Sequence, residues 1–249
     1  MRNKALRIAV AGLALGAAAA VPAADSGWKD MAKQAMEQMA NNPQAAQLAD
    51  AEIVQGLREA LAKGTKNAVL QLGKADGFWA SDRFRIPLPK SITKADTLLR
   101  AGGYGPQIDE LHLSFNRAAE QSVPIAADVF SQAVQKLTIS DARNILSGAP
   151  DAATQYFRKT TGDTLALQFK PLVAKVTARS GVVQQYEKML ASAGPLAAAL
   201  AGQKADVNDY VTRKALDRLF LRVADEEKAI RSNPAARTSE ILKKVFGSR

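Results

Sequence analysis

Residues 206–232 read DVNDYVTRKALDRLFLRVADEEKAIRS and carry the clearest structural pattern in the chain. Their apolar side chains recur at intervals of three and four residues, which places them on one face of an α-helix. Asp206 is a typical N-cap residue, and Asn233-Pro234 ends the pattern. The segment therefore predicts an amphipathic helix whose apolar face comprises Val207, Tyr210, Val211, Leu216, Leu219, Phe220, Val223 and Ile230.

Helical spacing recurs along most of the chain upstream of this segment, whereas the alternation typical of strands does not. Helices are predicted over about 50–72, from an N-cap at Ser91 to Gly102, over about 107–122, from there to Leu137, and from a cap at Thr138 or Ser140 to Gly148. Two helices are predicted between Pro150 and Gly181, with Pro171 as a candidate kink in the second. Short helices around 183–190 and 241–246 complete the set. We expect an all-α fold, a single multi-helix bundle of about nine or ten helices.

Residues 73–91 interrupt the helical pattern. Gly73, Gly77, Pro87 and Pro89 disfavour a regular element there, and the segment FRIPLP at 84–89 is expected to be extended. A loop as apolar as this one usually packs onto the body of its own protein. The alternative is a lid or a docking strand for a partner, which Phe84, Ile86 and Leu88 would form.

The N-terminal residues have the layout of a secretory signal peptide. A basic start, Arg2 to Arg7, precedes 13 uncharged residues from Ile8 to Ala20, and Val21-Pro-Ala23 follows. That apolar run is shorter than the ~20 residues a membrane-spanning helix needs. We predict a signal peptide over 1–23, a helical arm over 24–45 and one all-helical domain over 46–249. Assuming a Gram-negative bacterium, the mature protein would be soluble and periplasmic, without a transmembrane segment.

The composition excludes several kinds of chemistry. The 249 residues include no Cys and one His, so disulfides, thiolate nucleophiles, Cys-based zinc sites and a lipidated cysteine are excluded. Neither a phosphate-binding loop nor a dinucleotide fingerprint occurs, and we expect no metal and no cofactor. Removing residues 1–23 lowers the formal charge from +10 to +7, with 31 basic against 24 acidic residues. This surplus favours an anionic partner, whereas the lack of an arginine-rich block with interleaved aromatics disfavours nucleic acid.

One polar stripe has the spacing of an acid–base site. Asp109, His112, Asn116 and Glu120 follow one another at intervals of three, four and four residues, so they share a helix face. A carboxylate beside a histidine forms an acid–base pair or half of a metal site. Further ligands are lacking, and the favoured interpretation is a solvated helix face opposite Leu111 and Phe115.

Several motifs together resemble a bacterial family, the domain of unknown function numbered 4197. The resemblance covers about residues 46–247 and implies an exported helical protein without an established activity. It rests on FRIPLP at 84–89, NRAAE at 116–120, DARNILSG at 141–148, ATQYFR at 153–158, Tyr210-Val211 and IRSNPAA at 230–236.

Polar residues of these motifs form the candidate ligand-binding set, in which Arg117 or Arg158 would hold a carboxylate or phosphate. The alternative is that they fix how the helices pack, through interhelical hydrogen bonds and ion pairs. The set comprises Asn116, Arg117, Glu120, Asp141, Thr154, Tyr156 and Arg158.

Two functions follow from these observations. The first is a non-catalytic periplasmic protein that binds an apolar or anionic envelope component, or an envelope protein, through a groove between helices or through the 84–89 loop. The second is an enzyme with carboxylate and arginine chemistry around Glu120, Arg117 and Asp141. With one His and no Gly-x-Ser-x-Gly nucleophile elbow, the catalytic inventory favours the first function, and no catalytic residue is assigned.

Overall fold

The computed structural model describes residues 43–181, 183–184, 187–188, 191 and 206–232. Helices are the only regular elements in these ranges, and the all-α prediction is confirmed. The chain divides into two compact units, residues 1–48 and 49–249. The elements are α1 (Pro43–Leu72), α2 (Lys90–Ala101), α3 (Gly105–Ser122), a 3₁₀ turn (Val123–Ile125), α4 (Ala126–Gln135), α5 (Ile139–Ser147), α6 (Ala152–Ser180) and α7 (Val207–Ser232).

Helix α6 lies at the centre of the bundle. It packs along α7 and α3 and also contacts α4 and α5. Phenylalanine rings fill this junction: the centroid of Phe130 lies 5.2 Å from that of Phe157 and 6.0 Å from that of Phe220. The apolar stripe predicted for α7 points into the same core, with Val207 and Tyr210 partly buried at its margin.

Several helix ends lie where the sequence places them. Thr138 and Asp141 form a reciprocal capping box at the start of α5, and Gly148 ends that helix. Gly181 ends α6 with the left-handed φ of 65° that glycine adopts without strain. The Asp206 carboxylate accepts the Asp209 backbone N–H at 3.0 Å and caps α7. Ser91, however, is not a cap, because α2 already begins at Lys90.

The prediction of two helices between Pro150 and Gly181 is wrong. One continuous helix, α6, runs from Ala152 to Ser180 with Pro171 inside it. Every fourth residue of α6 is buried from Ala153 to Thr177, so one stripe spans its length. Thr161 and Thr177 belong to this stripe, and each hydroxyl donates to the carbonyl four residues earlier, at 2.6 and 3.0 Å. If only apolar residues are taken as buried, the stripe is interrupted at Thr161, and the pattern indicates two helices instead of one.

Residues 73–89, which we term the connector, form turns and extended chain between α1 and α2. Phe78 and Ile86 are fully buried in it, which confirms that this apolar segment packs onto the body of the protein. Because the connector lies against α3, it covers a helix face that would otherwise meet solvent.

Some predictions concern residues outside the described part of the chain. The signal peptide at 1–23 lies there, and so do most of the arm at 24–45 and the final helix around 241–246. The total of nine or ten helices and the domain boundaries therefore stay predictions. None of the described helices is both long enough and apolar enough to cross a membrane.

Candidate functional site

Glu120 is the centre of the candidate site, and its carboxylate holds the connector against α3. The residue is only 3% exposed. Its Oε1 accepts the backbone N–H groups of Phe78 and Trp79, both at 3.1 Å. Its Oε2 accepts Arg117 Nη1 at 2.6 Å. Both oxygens are thus engaged by donors of the protein itself.

Arg117 joins this carboxylate to a second one. Its Nη2 donates to Asp76 Oδ1 at 2.7 Å, so one guanidinium bridges α3 and the connector. The bonds to Glu120 and Asp76 raise the pKa of Arg117. Asp76 has a φ of 65°, a left-handed conformation that few residue types other than glycine adopt, and the Arg117 contact fixes it in place.

Asn116 and His112 hold the connector at Ile86, ten residues after Asp76. The Asn116 side chain accepts the Ile86 N–H at 2.8 Å and donates to the Ile86 carbonyl at 3.2 Å. His112 Nε2 lies 2.8 Å from the same carbonyl. Since a carbonyl only accepts, this nitrogen carries a proton. The ring also contacts Trp79 edge-on, with centroids 5.1 Å apart. Two side chains of α3 therefore hold the backbone of a single connector residue, Ile86.

The interpretation of the 109–120 stripe as a solvated face is wrong. Asn116 is 0% exposed, and Glu120 and His112 face the connector rather than water. Asp109 alone stays exposed, and its carboxylate pairs with Arg100 at 2.7 Å. The physical reason is that the connector lies on the part of α3 that carries His112, Asn116 and Glu120.

The position of His112 predicts a pH dependence of stability. Burial lowers the pKa of His112 below its ordinary value of 6.5. The unfolded chain therefore binds a proton at His112 more tightly than the folded chain. As a result, the free energy of unfolding decreases as the pH falls below about 6.5. We expect urea midpoints of the wild-type protein to fall between pH 7.5 and pH 5.5 by more than those of His112→Gln.

His112 is the one histidine of the chain, so its titration can be followed directly in an NMR spectrum. A ring that titrates below 6.5 fits the structure, whereas a titration above 6.5 would contradict the burial of His112 beneath the connector.

A second buried carboxylate, that of Glu227, joins α7 to the start of α6. Its Oε1 accepts the Ala153 N–H at 3.0 Å, and its Oε2 accepts the N–H and the hydroxyl of Thr154, both at 2.9 Å. Arg231, one turn later on α7, donates to Oε1 at 2.8 Å and to the Ile145 carbonyl at 2.8 Å. Glu227 thus caps α6 and fixes α5, α6 and α7 together.

Sequence reasoning missed Glu227. The signal was its position, four residues after Val223 and three before Ile230, in the middle of the buried stripe of α7. An acidic residue on an apolar face needs buried donors, and the unpaired N–H groups at the start of a neighbouring helix supply them.

The remaining candidate residues lie apart from Glu120. Asp141 is half of the α5 capping box, and no hydrogen bond or ion pair of the described residues joins it to Glu120 or Arg117. Arg158 pairs with Asp217 at 3.3 Å and lies over the Phe220 ring. Burial raises the pKa of Tyr156, and the nearby Asp141 carboxylate raises it further. The structure therefore brings Asn116, Arg117 and Glu120 together and distributes the other four over separate helix contacts.

The three residues proposed for a docking strand differ in exposure. Ile86 belongs to the core, whereas Phe84 and Leu88 pack partly against it. The Tyr210 hydroxyl donates to the Pro87 carbonyl at 2.9 Å and ties this part of the connector to α7. Docking of a partner on Phe84 and Leu88 stays a prediction.

The arrangement around Glu120 supports structure more than catalysis. A general acid or base needs a proton site within reach of a substrate, and the oxygens of Glu120 already accept three donors of the protein. Within the described ranges, no three His, Cys, Asp or Glu side chains converge as metal ligands.

An open groove of about 710 Å³ lies between α1 and α4. Its lining includes the short exposed residues Ala62, Ala127 and Ser131, which we term the floor, and the buried residues Thr65 and Val134. Longer exposed polar side chains, which we term the rim, also line it: Gln55, Arg58, Glu59, Lys66 and Gln135.

Comparison with known proteins places the chain in a family. No curated protein and no solved structure shows significant similarity to the chain. The family model described as "Protein of unknown function (DUF4197)" matches residues 47–247, which include every helix from the first turns of α1 to α7. The resemblance seen in the motifs is thus confirmed over most of the chain, and the protein belongs to this family of unknown function.

Proposed function

We propose that the protein is an exported, non-catalytic binding protein of the bacterial envelope and that its ligand occupies the α1–α4 groove. Export rests on the N-terminal sequence pattern, and binding rests on the groove. The observation that carries the proposal is the groove's exposed floor of small residues, which offers apolar surface to a ligand beside a polar rim.

The rim suggests an anionic amphiphile, such as a fatty acid, as the occupant. Arg58 is engaged at one end, where its Nη2 donates to the Gln135 and Leu137 carbonyls at 3.0 and 2.8 Å. Lys66 lies eight residues further along α1, a rise of about 12 Å. It is exposed and forms no ion pair with another described residue. An acyl chain on the floor with its carboxylate at Lys66 fits both this geometry and the positive charge of the protein.

The saturated hydrogen bonding of Glu120 supports a non-catalytic function. The enzyme hypothesis requires Glu120, Arg117 and Asp141 to act on one substrate. Glu120 and Arg117 are bound to each other and to the connector, and Asp141 belongs to the cap of another helix. None of these three residues lines the groove.

Binding of fluorescently labelled dodecanoic acid, followed by anisotropy, tests the proposal. We expect saturable binding to the wild-type protein and a loss of at least about tenfold in affinity for Ser131→Trp, because an indole on the floor occupies the space of the chain. Gln132→Trp is the matched control, since Gln132 is exposed on the same helix but does not line the groove.

The two variants decide the outcome together. Binding that survives in Gln132→Trp and fails in Ser131→Trp supports the groove, and native mass spectrometry of protein from its own periplasm then identifies the bound molecule. Absence of saturable binding, or equal losses in both variants, would overturn the proposal.

A further inference from the structure

Another cavity, which we term the α3–α6 cavity, lies between α3 and the last turns of α6. It is open to solvent and has a volume of about 440 Å³, within the range of small-molecule sites. Residues of α3 line it from Glu110 to Gln121, which corresponds to a rise of about 16 Å along the helix. Val176 and Arg179 of α6 complete the lining.

Two exposed side chains of opposite charge line this cavity from different helices. Glu110 belongs to α3, and Arg179 belongs to the last turn of α6. Neither side chain forms a hydrogen bond or an ion pair with a described residue, so they are not paired with each other either. Both charges are therefore available to a ligand in the cavity.

The other polar groups on α3 are already engaged within the protein. Arg117 also lines the cavity, but its guanidinium donates to the carboxylates of Glu120 and Asp76 at 2.6 and 2.7 Å, which offset its charge. The Ser114 hydroxyl donates to the Leu111 carbonyl at 2.9 Å. Among the described residues that line the cavity, one positive and one negative charge thus stay without a partner.

Apolar surface accompanies these two charges. Leu113 lies one helical turn after Glu110, and Val176 lies one turn before Arg179. Both apolar side chains line the cavity and are only partly buried. A ligand that matches the whole set carries an ammonium group, a carboxylate and an apolar side chain.

From this arrangement we infer that the α3–α6 cavity binds a zwitterion with an apolar side chain, either a free amino acid or a short peptide. Its carboxylate pairs with Arg179, its ammonium group pairs with Glu110, and its side chain covers the apolar surface. A ligand with a single charge would leave one of the two residues without a partner. None of the cavity's residues lines the α1–α4 groove, so this site stands independently of the proposed function.

Titrations with chemically blocked ligands test the inference on the wild-type protein. We expect L-leucine, leucyl-leucine or both to shift the Leu113 and Val176 amide signals in ¹⁵N-correlated NMR spectra and to saturate. Acetylation of the amino group removes the ammonium charge, and amidation of the carboxyl group removes the carboxylate. Each blocked form is expected to bind about tenfold more weakly or worse, because one charge-assisted contact is lost.

Two variants test the charged residues separately. We expect Arg179→Gln and Glu110→Gln each to weaken binding about tenfold or more. The matched controls are Lys175→Gln and Asp163→Asn, which remove one charge of each sign from exposed positions of α6 outside the cavity. Circular dichroism verifies the fold of all four variants, and the blocked ligands remain a test even if a variant unfolds.

The two unblocked ligands distinguish the sources of the zwitterion. Binding of leucine with an affinity similar to that of leucyl-leucine, or higher, assigns the cavity to free amino acids. Binding of leucyl-leucine that is tighter by about tenfold or more assigns it to peptides. Absence of saturable shifts with both ligands, undiminished binding of a blocked form, or equal losses in the cavity and control variants would overturn the site.

Discussion

Replacement of Glu227 by alanine is expected to lower the free energy of unfolding by about 3–5 kcal/mol, the range for removing one partner of a buried ion pair. The carboxylate accepts the first backbone donors of α6, the Thr154 hydroxyl and the Arg231 guanidinium. Its removal leaves these donors buried without an acceptor and separates the ends of three helices. The loss follows from desolvated partners rather than from the area of one side chain.

Urea unfolding followed by circular dichroism measures this effect. Glu59→Ala, which removes an exposed carboxylate from α1, is the control and is expected to change stability by no more than about 0.5 kcal/mol. Similar effects of the two substitutions would show that Glu227 does not fix α6 to α7.

Glu120→Gln is expected to lower the free energy of unfolding by about 2–3 kcal/mol. The amide has nearly the shape of the carboxylate, so the packing around it is conserved. One of its two ends becomes a donor, however, and both ends of the carboxylate face donors, the connector amides on one side and Arg117 on the other. The substitution therefore sets a donor against a donor whichever way the amide turns.

The control for Glu120→Gln is Glu110→Gln, the same change on an exposed position of the same helix, with an expected effect below about 0.5 kcal/mol. If Glu120 served catalysis instead, its replacement would remove a cellular phenotype while leaving the melting temperature unchanged. Unchanged stability of Glu120→Gln would contradict a structural role.

The helical fold could be predicted from the sequence because periodicity and capping are local. The stripe of α7, the capping box at Thr138 and the glycine end of α6 each depend on residues within a few turns. The continuity of α6 was lost because Thr161 counts as polar, although its hydroxyl bonds within the helix and its methyl group packs like an apolar side chain.

The candidate site could be predicted only in part. Their spacing places Asn116, Arg117 and Glu120 on one helix, as the structure has them, but the partner surface of that helix depends on the path of the connector. Because the connector has no periodic pattern, the sequence does not show which surface it covers. A helix face that contacts the connector therefore cannot be distinguished in sequence from one that contacts solvent. Glu227 was missed for a related reason. The groups that donate to it lie at the start of α6, and the nearest of them in sequence, Thr154, is 73 residues before it.

Backbone amide hydrogen exchange at Phe78 and Trp79 tests the central claim, that Glu120 is a structural anchor of the connector, most directly. The account predicts slow exchange of both amides in the wild-type protein. In Glu120→Ala it predicts an acceleration of about tenfold or more relative to the Ile86 amide, which Asn116 holds independently. Wild-type amides that exchange as fast as those of an unstructured peptide would contradict it and leave the Glu120 carboxylate free for chemistry.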